Sequence, residues 1–233
     1  MARQRSTRIV AVGSDMRAPL FDGLAPPDID AVLAAATQRH YPAGSVIVNQ
    51  GDPAERLFLL TKGRARYFFL TAEGQRSLFL WLAPGDIFGE KAILSAPSHY
   101  IVSTETVKES WVLVWDRATL IPLKARYPRL VENGLSIAAD YLTWFLANHL
   151  ALSFGSARQK LAHVLVDLAG AIGRKVPDGV ELEVTNEDLA NAANITPFTA
   201  SRLLSGWQRD RAVVKRRGKL LLRAPERLFL RLC

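Results

Sequence analysis

The chain has almost no cysteine: Cys233, the last of 233 residues, is the only one. One thiol cannot build a disulfide framework, a multi-cysteine zinc site or a thiolate-held iron–sulfur cluster within one chain, and a reducing cytoplasm is the expected location. Histidine is also scarce, with only His40, His99, His149 and His163, and no metal-ligand spacing appears, so no metal is expected. No run approaches the ~20 apolar residues of a membrane span, and the basic N-terminus "MARQRSTRIVAVGSDMR" lacks the continuous apolar stretch of a secretory signal. Also missing are a cysteine nucleophile, a P-loop, a dinucleotide glycine motif and any carboxylate pair arranged for acid–base work. No enzymatic activity and no membrane partner are therefore expected.

What is present is apolar residues and positive charge. The chain is 49% hydrophobic with a mean hydropathy of +0.07, enough for one large domain or two ordinary ones. The net charge is +8, and it is unevenly spread. Residues 156–233 hold 14 Lys and Arg against 8 Asp and Glu, whereas residues 1–155 hold 16 against 14. An ordinary solvated surface can carry such an excess, but its concentration in the C-terminal third favours a polyanionic partner there.

From Tyr41 to Trp115 short apolar or alternating runs, "SVIVNQGD", "RLFLLTKG", "RARYFFLTAEG", "SLFLWLAPGD" and "WVLVWD", are broken by Gly44, Gly51, Gly63, Gly74, Gly85 and Gly89. This texture predicts an antiparallel roll or barrel, preceded by a short helix in "PPDIDAVLAAATQRH". From about Tyr127 to Ser153 the period becomes helical. One apolar seam is Val131, Leu135, Ala138, Leu142, Phe145, His149 and Leu152; the other is Leu130, Ile137, Tyr141 and Trp144. A helix apolar on two sides is economically explained by pairing with a second copy of itself, the alternative being burial against its own chain.

The C-terminal third carries the most informative pattern. "TNEDLANAAN" opens with a capping box, Thr185 with Asp188, and Asn194 can take the left-handed conformation of a sharp turn. In "NITPFTASRLLSGW", Thr196 is an N-cap, Pro197 suits the first helical position, and Ala200, Leu203, Leu204 and Trp207 form an inward stripe. The opposite face sets Phe198, Ser201, Arg202 and Ser205 toward water, and "AVVKRRGKLLLRA" reads as two strands about a turn at Arg217-Gly218. Such a helix-turn-helix reads bases from the exposed N-terminal part of its second helix. Phe198, Ser201 and Arg202 are the expected base-reading residues: Arg202 pairs with guanine, and Phe198 meets a thymine methyl. Phe198 buried against the wing is the competing expectation. Thr196, Thr199, Ser205, Lys215, Arg216, Arg217 and Lys219 are expected on the DNA backbone, making binding salt-dependent.

From about Phe21 to Leu230, "GSVIVNQGD", "LFLLTKGRAR", "APGDIFGE", the long helix and "TNEDLANAANITPFTASRLL" resemble the Crp/Fnr family of bacterial transcription regulators. The resemblance implies an α+β chain with an N-terminal antiparallel, jelly-roll-like β-roll similar to cyclic-nucleotide-binding domains, a long dimerisation helix and a C-terminal winged helix-turn-helix. In domains, it implies a flexible basic lead-in over 1–17, an effector-sensing roll over 18–126, the dimerisation helix over 127–155 and the DNA-binding domain over 156–233. It further implies a homodimer on a palindromic operator in double-stranded DNA, acting on RNA polymerase. The dimer contacts would come from Leu135, Ala138, Leu142, Phe145, His149 and Leu152.

Two departures from the family pattern matter. Members that bind cyclic AMP follow the residues matching Gly89-Glu90 with an Arg-Ser/Thr pair whose arginine meets the phosphate; here Tyr100 and Ile101 stand at that pair. Losing this charge-assisted contact argues against cyclic AMP. Gly89, Glu90, Tyr100, Ile101 and Trp81 remain the candidate effector-pocket residues, with Phe68, Phe69 and Phe79 as further aromatics of the roll. In the recognition helix, Phe198 replaces the family's glutamate, so known operators do not carry over. His149, beside Trp144 and Phe145, is a candidate haem ligand, although a lone histidine on an apolar face is more often a hydrogen-bonded core residue. The alternative function is a small-ligand or haem sensor whose basic domain binds nucleic acid only nonspecifically.

Overall fold

The computed structural model describes residues 17–72, 74, 76–94, 96, 98–216 and 218–229. The lead-in up to residue 16, Arg217 and Cys233 lie outside the described residues. After helix α1 (Pro26–Ala34) come strands β1 (Thr37–Tyr41), β2 (Val46–Val48), β3 (Arg56–Lys62), β4 (Ala65–Leu70), β5 (Arg76–Leu82), β6 (Ile87–Phe88), β7 (Ser103–Thr106) and β8 (Ser110–Asp116). Helices α2 (Arg117–Arg126), α3 (Arg129–Phe154) and α4 (Ala157–Ile172) follow. The remaining elements are β9 (Arg174–Val176), β10 (Gly179–Leu182), α5 (Asn186–Ala192), α6 (Pro197–Arg209), β11 (Val213–Arg216), β12 (Lys219–Leu222) and α7 (Glu226–Phe229). Among the described residues, one four-stranded sheet is ordered β1-β8-β3-β6 and another β11-β12-β10-β9. The described residues form two compact units: 17–65 with 83–138, and 66–82 with 139–229.

In the first unit, β3 and β8 pair antiparallel in register, Leu57 opposite Trp115, Phe58 opposite Val114 and Leu59 opposite Leu113. Leu57 to Leu60 are all buried, so this strand has no solvent face. Alternation assigns the faces. Leu57, Leu59, Leu113 and Trp115 join Ile87, Val32, Leu120 and Leu130 in one core cluster, built with α1, α2 and the start of α3. Phe58 faces the other way and stacks on Phe88, centroids 4.6 Å apart and planes within 2°. Gly63 is held at φ 99, and a Cβ there would strike Ser110, which is why only glycine closes this turn between β3 and β4.

The helical segments show what pattern does and does not reveal. Helix α1 lies where proline and aspartate announce it. Helix α2 was not expected; Asp116 caps it by accepting from Thr119 N–H at 2.8 Å, and Pro122 sits in its interior. Leu120 is its one fully buried residue, so the pattern lacks an apolar stripe to detect. Helix α3 begins two residues later than the sequence suggests, because Tyr127 ends α2 and Pro128 separates the two.

In the second unit, the β4–β5 arm and the later part of α3 pack with α4 and the C-terminal elements. Tyr67 of β4 meets Tyr141 of α3 edge-on at 6.3 Å between centroids. Helix α4 starts with a full capping box: Ser156 Oγ accepts from Gln159 N–H, and the Gln159 side chain accepts from Ser156 N–H. It buries Leu161, Val164, Leu165 and Leu168.

One bond in the first core is open to test. The last carbonyls of a helix have no partner within it, and Trp115 Nε1 donates to one of them, Val32 O of α1, at 2.8 Å in a buried setting. Trp115→Phe removes the donor and replaces the indole by a smaller ring, and is expected to cost at least about 1–3 kcal/mol in denaturant unfolding of the full chain.

Candidate nucleic-acid interface and effector region

The turn between α5 and α6 is built from local bonds. Thr185 Oγ1 accepts from Asp188 N–H at 3.0 Å, and Asp188 Oδ2 accepts from Thr185 N–H and Oγ1–H at 3.1 and 2.8 Å. Asn194 takes φ 48, and Ile195 N–H donates to Ala190 O at 3.0 Å, turning the chain into α6. There Thr196 Oγ1 accepts from Thr199 N–H at 3.2 Å with Pro197 at the first helical position. Ala200, Leu204 and Trp207 are fully buried and Leu203, expected with them, is half-buried, whereas Phe198 is 76% exposed and Arg202 is exposed with no side-chain partner among the described residues. Phe198 is therefore not buried against the wing. Ser201 is half-buried beside them.

The residues expected on the DNA backbone meet different fates. The Thr196 and Thr199 hydroxyls lie 2.9 Å apart, and Ser205 Oγ–H donates to Ser201 O at 2.8 Å, so part of this hydroxyl capacity serves α6 itself. In the wing, Lys215 Nζ reaches Ser201 O at 3.5 Å and Ser205 Oγ at 3.4 Å, joining β11 to the recognition helix. Arg216 is exposed at the tip next to Gly218. Lys219 is differently placed. Its Nζ lies 2.9 Å from Glu181 Oε1 and 3.5 Å from Glu183 Oε1, and Arg174 Nη2 lies 2.6 Å from the same Glu181 oxygen. Lys219 thus braces the sheet of the wing.

The candidate effector residues do not line one cavity. In the first unit, Tyr100 borders a cleft of about 270 Å³ with Arg56 and Phe58, and its hydroxyl both accepts from Arg56 N–H at 3.0 Å and donates to Arg56 O at 2.9 Å. Burial pushes its phenol above the ordinary range, so it stays protonated and able to donate. Gly89, at φ 78, lies against the Tyr100 ring, Glu90 opens a short 3₁₀ turn, and Ile101 is 62% exposed. In the second unit, Trp81 lines a separate cavity together with Phe145, His149 and Leu152. Phe68 is buried under Arg76, whose guanidinium carbon lies 4.5 Å from the ring centroid, and Phe69 is largely exposed.

That second cavity divides the expected dimer seam. Phe145, His149 and Leu152 line it, the first two still exposed, whereas Leu135, Leu142, Leu146, Leu150 and Phe154 stand exposed outside it, and Ala138 is exposed as well. The free stripe therefore runs on through Leu146 and Leu150. Steps of three and four fit two diverging stripes on one helix, and only the neighbours decide which is covered. His149 is accordingly a cavity residue, tilted against Phe145 at 6.1 Å. Among the described residues there is no cluster of three His, Cys, Asp or Glu suited to a metal, and no helix is long and apolar enough to cross a membrane.

Sequence reasoning missed two charged groups. Arg66 Nη1 of β4 lies 2.7 Å from Asp188 Oδ1, and Glu181 is buried between Arg174 and Lys219. No local signal announces the first, since its partners are 122 residues apart.

An exposed, capped helix presenting arginine beside a basic β-wing, in a chain that also carries an antiparallel β-roll, defines a DNA-binding transcription regulator. Comparison with known proteins agrees. Residues 38–127 match the cyclic nucleotide-binding domain, and residues 159–229 match the Crp-like helix-turn-helix domain. The chain is 31% identical over 186 residues to the cyclic AMP receptor protein of Thermus thermophilus, covering 80% of this chain and 83% of that protein. It is 26% identical over 218 residues to the CRP-like cAMP-activated global transcriptional regulator of Mycobacterium tuberculosis, covering 92% and 96%. The solved structure of the c-di-GMP-responsive global regulator CLP of Xanthomonas campestris superposes with a TM-score of 0.73 at 20% identity, covering 85% of this chain and 99% of that one. This chain belongs to the Crp/Fnr family of transcription regulators, whose members bind DNA and act as dimers.

The wing supplies a pH test. Hydrogen bonds from Arg174 and Lys219 hold the Glu181 carboxyl down to about 2, against 4.5 for a free one. A depressed carboxylate stabilises the fold above its unfolded value, and that stability drains as pH falls from about 4.5 toward 2. In urea unfolding of the full chain, Glu181→Gln is expected to flatten this acid loss while lowering stability at neutral pH.

Proposed function

We propose that this protein binds a palindromic operator as a homodimer, that Arg202 reads a guanine in each half-site, and that an effector other than cyclic AMP controls binding. The observation that carries the reading is α6 itself: Ala200, Leu204 and Trp207 of its inner face are fully buried while Phe198, Ser201 and Arg202 occupy the N-terminal part of its outer face. Arg202 suits bidentate recognition of guanine O6 and N7, and Phe198 an apolar contact with a thymine methyl. Lys215 and Arg216 fit backbone contacts, with Arg217 beside them in sequence. The exposed stripe Leu135, Leu142, Leu146 and Leu150 suits pairing with a second copy. Acting through RNA polymerase, by recruitment or occlusion, follows from operator binding of this kind.

Cyclic AMP is named for relatives of this chain, and its roll retains the matching fold. Tyr100, however, offers no cation to a phosphate, and its hydroxyl is committed to the backbone of Arg56. Phosphate binding without a cationic side chain loses its charge-assisted bonds.

Selection of bound duplexes from a random pool, without added ligand and at two salt concentrations, should enrich a palindrome with half-sites about one helical turn, ~34 Å, apart. Arg202→Ala should then relax preference at one position per half-site and cost about 1–3 kcal/mol there. If that variant instead weakens all duplexes equally, Arg202 contacts phosphate and the alternative of nonspecific binding is the better account. Addition of cyclic AMP is expected to leave operator affinity unchanged.

A further inference from the structure

Within the second unit a cavity of about 570 Å³ is walled by Trp81 of β5, Trp144 and Phe145 of α3, and Val164 of α4. Cavities of roughly 300–1,000 Å³ with mostly apolar walls hold small organic molecules. The ionisable and hydrogen-bonded polar groups of this one fall into two sets, beside the neutral Ser153, Asn191 and Asn194. Asp167 Oδ2 accepts from Trp144 Nε1–H at 2.8 Å; Asn148 donates to Trp144 O at 3.1 Å and accepts from His163 at 3.0 Å. These are already engaged. The Lys160 ammonium and the His149 imidazole also line the cavity, and neither has a hydrogen-bond or ion-pair partner among the described residues.

An aromatic cavity with one cation and one imidazole left unengaged complements a single anionic group on an apolar body. Asp167, itself in the lining, disfavours a second anionic group by like-charge repulsion. We propose that this cavity binds an apolar monocarboxylate, aryl or alkyl, with its carboxylate on Lys160 and His149 and its body between Trp81, Trp144 and Phe145. The exposed leucines of α3 take no part in the lining, so the site does not draw on the stripe assigned to pairing.

The location gives such a ligand a lever. Asn191 and Asn194 also line the cavity, and Asn194 is the φ 48 residue of the turn that aims α6. A ligand touching that turn changes DNA affinity only if it binds the reading and non-reading arrangements unequally. This consequence rests on the effector-controlled reading above; the site does not.

The test uses the full-length protein and calorimetric titration with 2-naphthoate and decanoate, each against its amide. The acids should bind saturably and about tenfold more tightly than the amides. Lys160→Met should remove that preference by weakening the acids about tenfold and leaving the amides unchanged, which loss of folding alone does not produce. Ala171→Trp, at an exposed position of the lining, should abolish binding of both with the helical circular dichroism preserved. No saturable binding by either acid, equal binding of acid and amide, or a Lys160→Met protein that keeps the preference would overturn the proposal. A Soret band in the purified protein would overturn it too, giving the cavity to haem on His149. Anisotropy with the selected duplex separates the two claims: binding of the acid with a shift in DNA affinity supports both, whereas binding without a shift supports the site and overturns effector control through it.

Discussion

Burial of the inner face of α6 is the constraint on which everything functional depends. A 13-residue helix is marginal alone, so its orientation comes from packing. Trp207 is completely buried, and Arg158 of α4 lies over its ring at 5.1 Å. Its indole N–H has no hydrogen-bond partner among the described residues. With the inner face fixed in this way, Phe198 and Arg202 have nowhere to go but outward. The outward exposure of a phenylalanine is thus a consequence of how firmly the opposite face is held.

Features carried by local sequence were readable before the structure. Thr185, Asp188, Asn194, Thr196 and Pro197 act within a few residues of themselves, and each stands where its capping or turn chemistry required. The strands of the roll were readable because alternation and glycine breaks are local too. Features decided by distant partners were not. Helix α2 escaped because the core needs little more than Leu120 from it, and Pro122 argued against a helix. The period sets Phe145, His149 and Leu152 on one seam with Leu135 and Leu142, but these three border the cavity that β5 and α4 also line, while Leu146 and Leu150 lie outside it. A helical period states which residues share a face and is silent on how many neighbours divide it.

The same distinction governs Tyr100. The family resemblance sets the expectation that Tyr100 stands where members that bind cyclic AMP hold an arginine, but sequence alone leaves open whether an empty counter-charge site remains. The hydroxyl answers this by bonding both the N–H and the carbonyl of Arg56, while the ring occupies the space beside Gly89. Tyr100 therefore fills the place beside Gly89 and brings no charge to it. Polar capacity turned onto the roll's own backbone stiffens the strand at the expense of a ligand. A roll of this kind keeps its fold while the chemistry of its cleft changes, since the core cluster uses Leu57, Leu59 and Trp115 and none of these cleft groups.

Charge gives the final lesson about placement. The basic excess of the C-terminal third suggested nucleic acid by count, yet a cation contributes to DNA binding only if its charge is free to meet phosphate. Glu181, buried in the wing, draws on both Arg174 and Lys219, and Asp178 lies 3.5 Å from Arg223. Arg66 reaches across to Asp188, the residue that also caps the first helix of the reading motif. These pairs spend positive charge on holding the sheet and the turn. Arg202 on the helix and Arg216 on the wing stay exposed, as do Lys175, Arg209 and Arg211, and the first two lie on the elements that a groove and its flanking phosphates would meet. The pairs that remove charge from the interface are the same ones that fix the frame from which the remaining charge is presented.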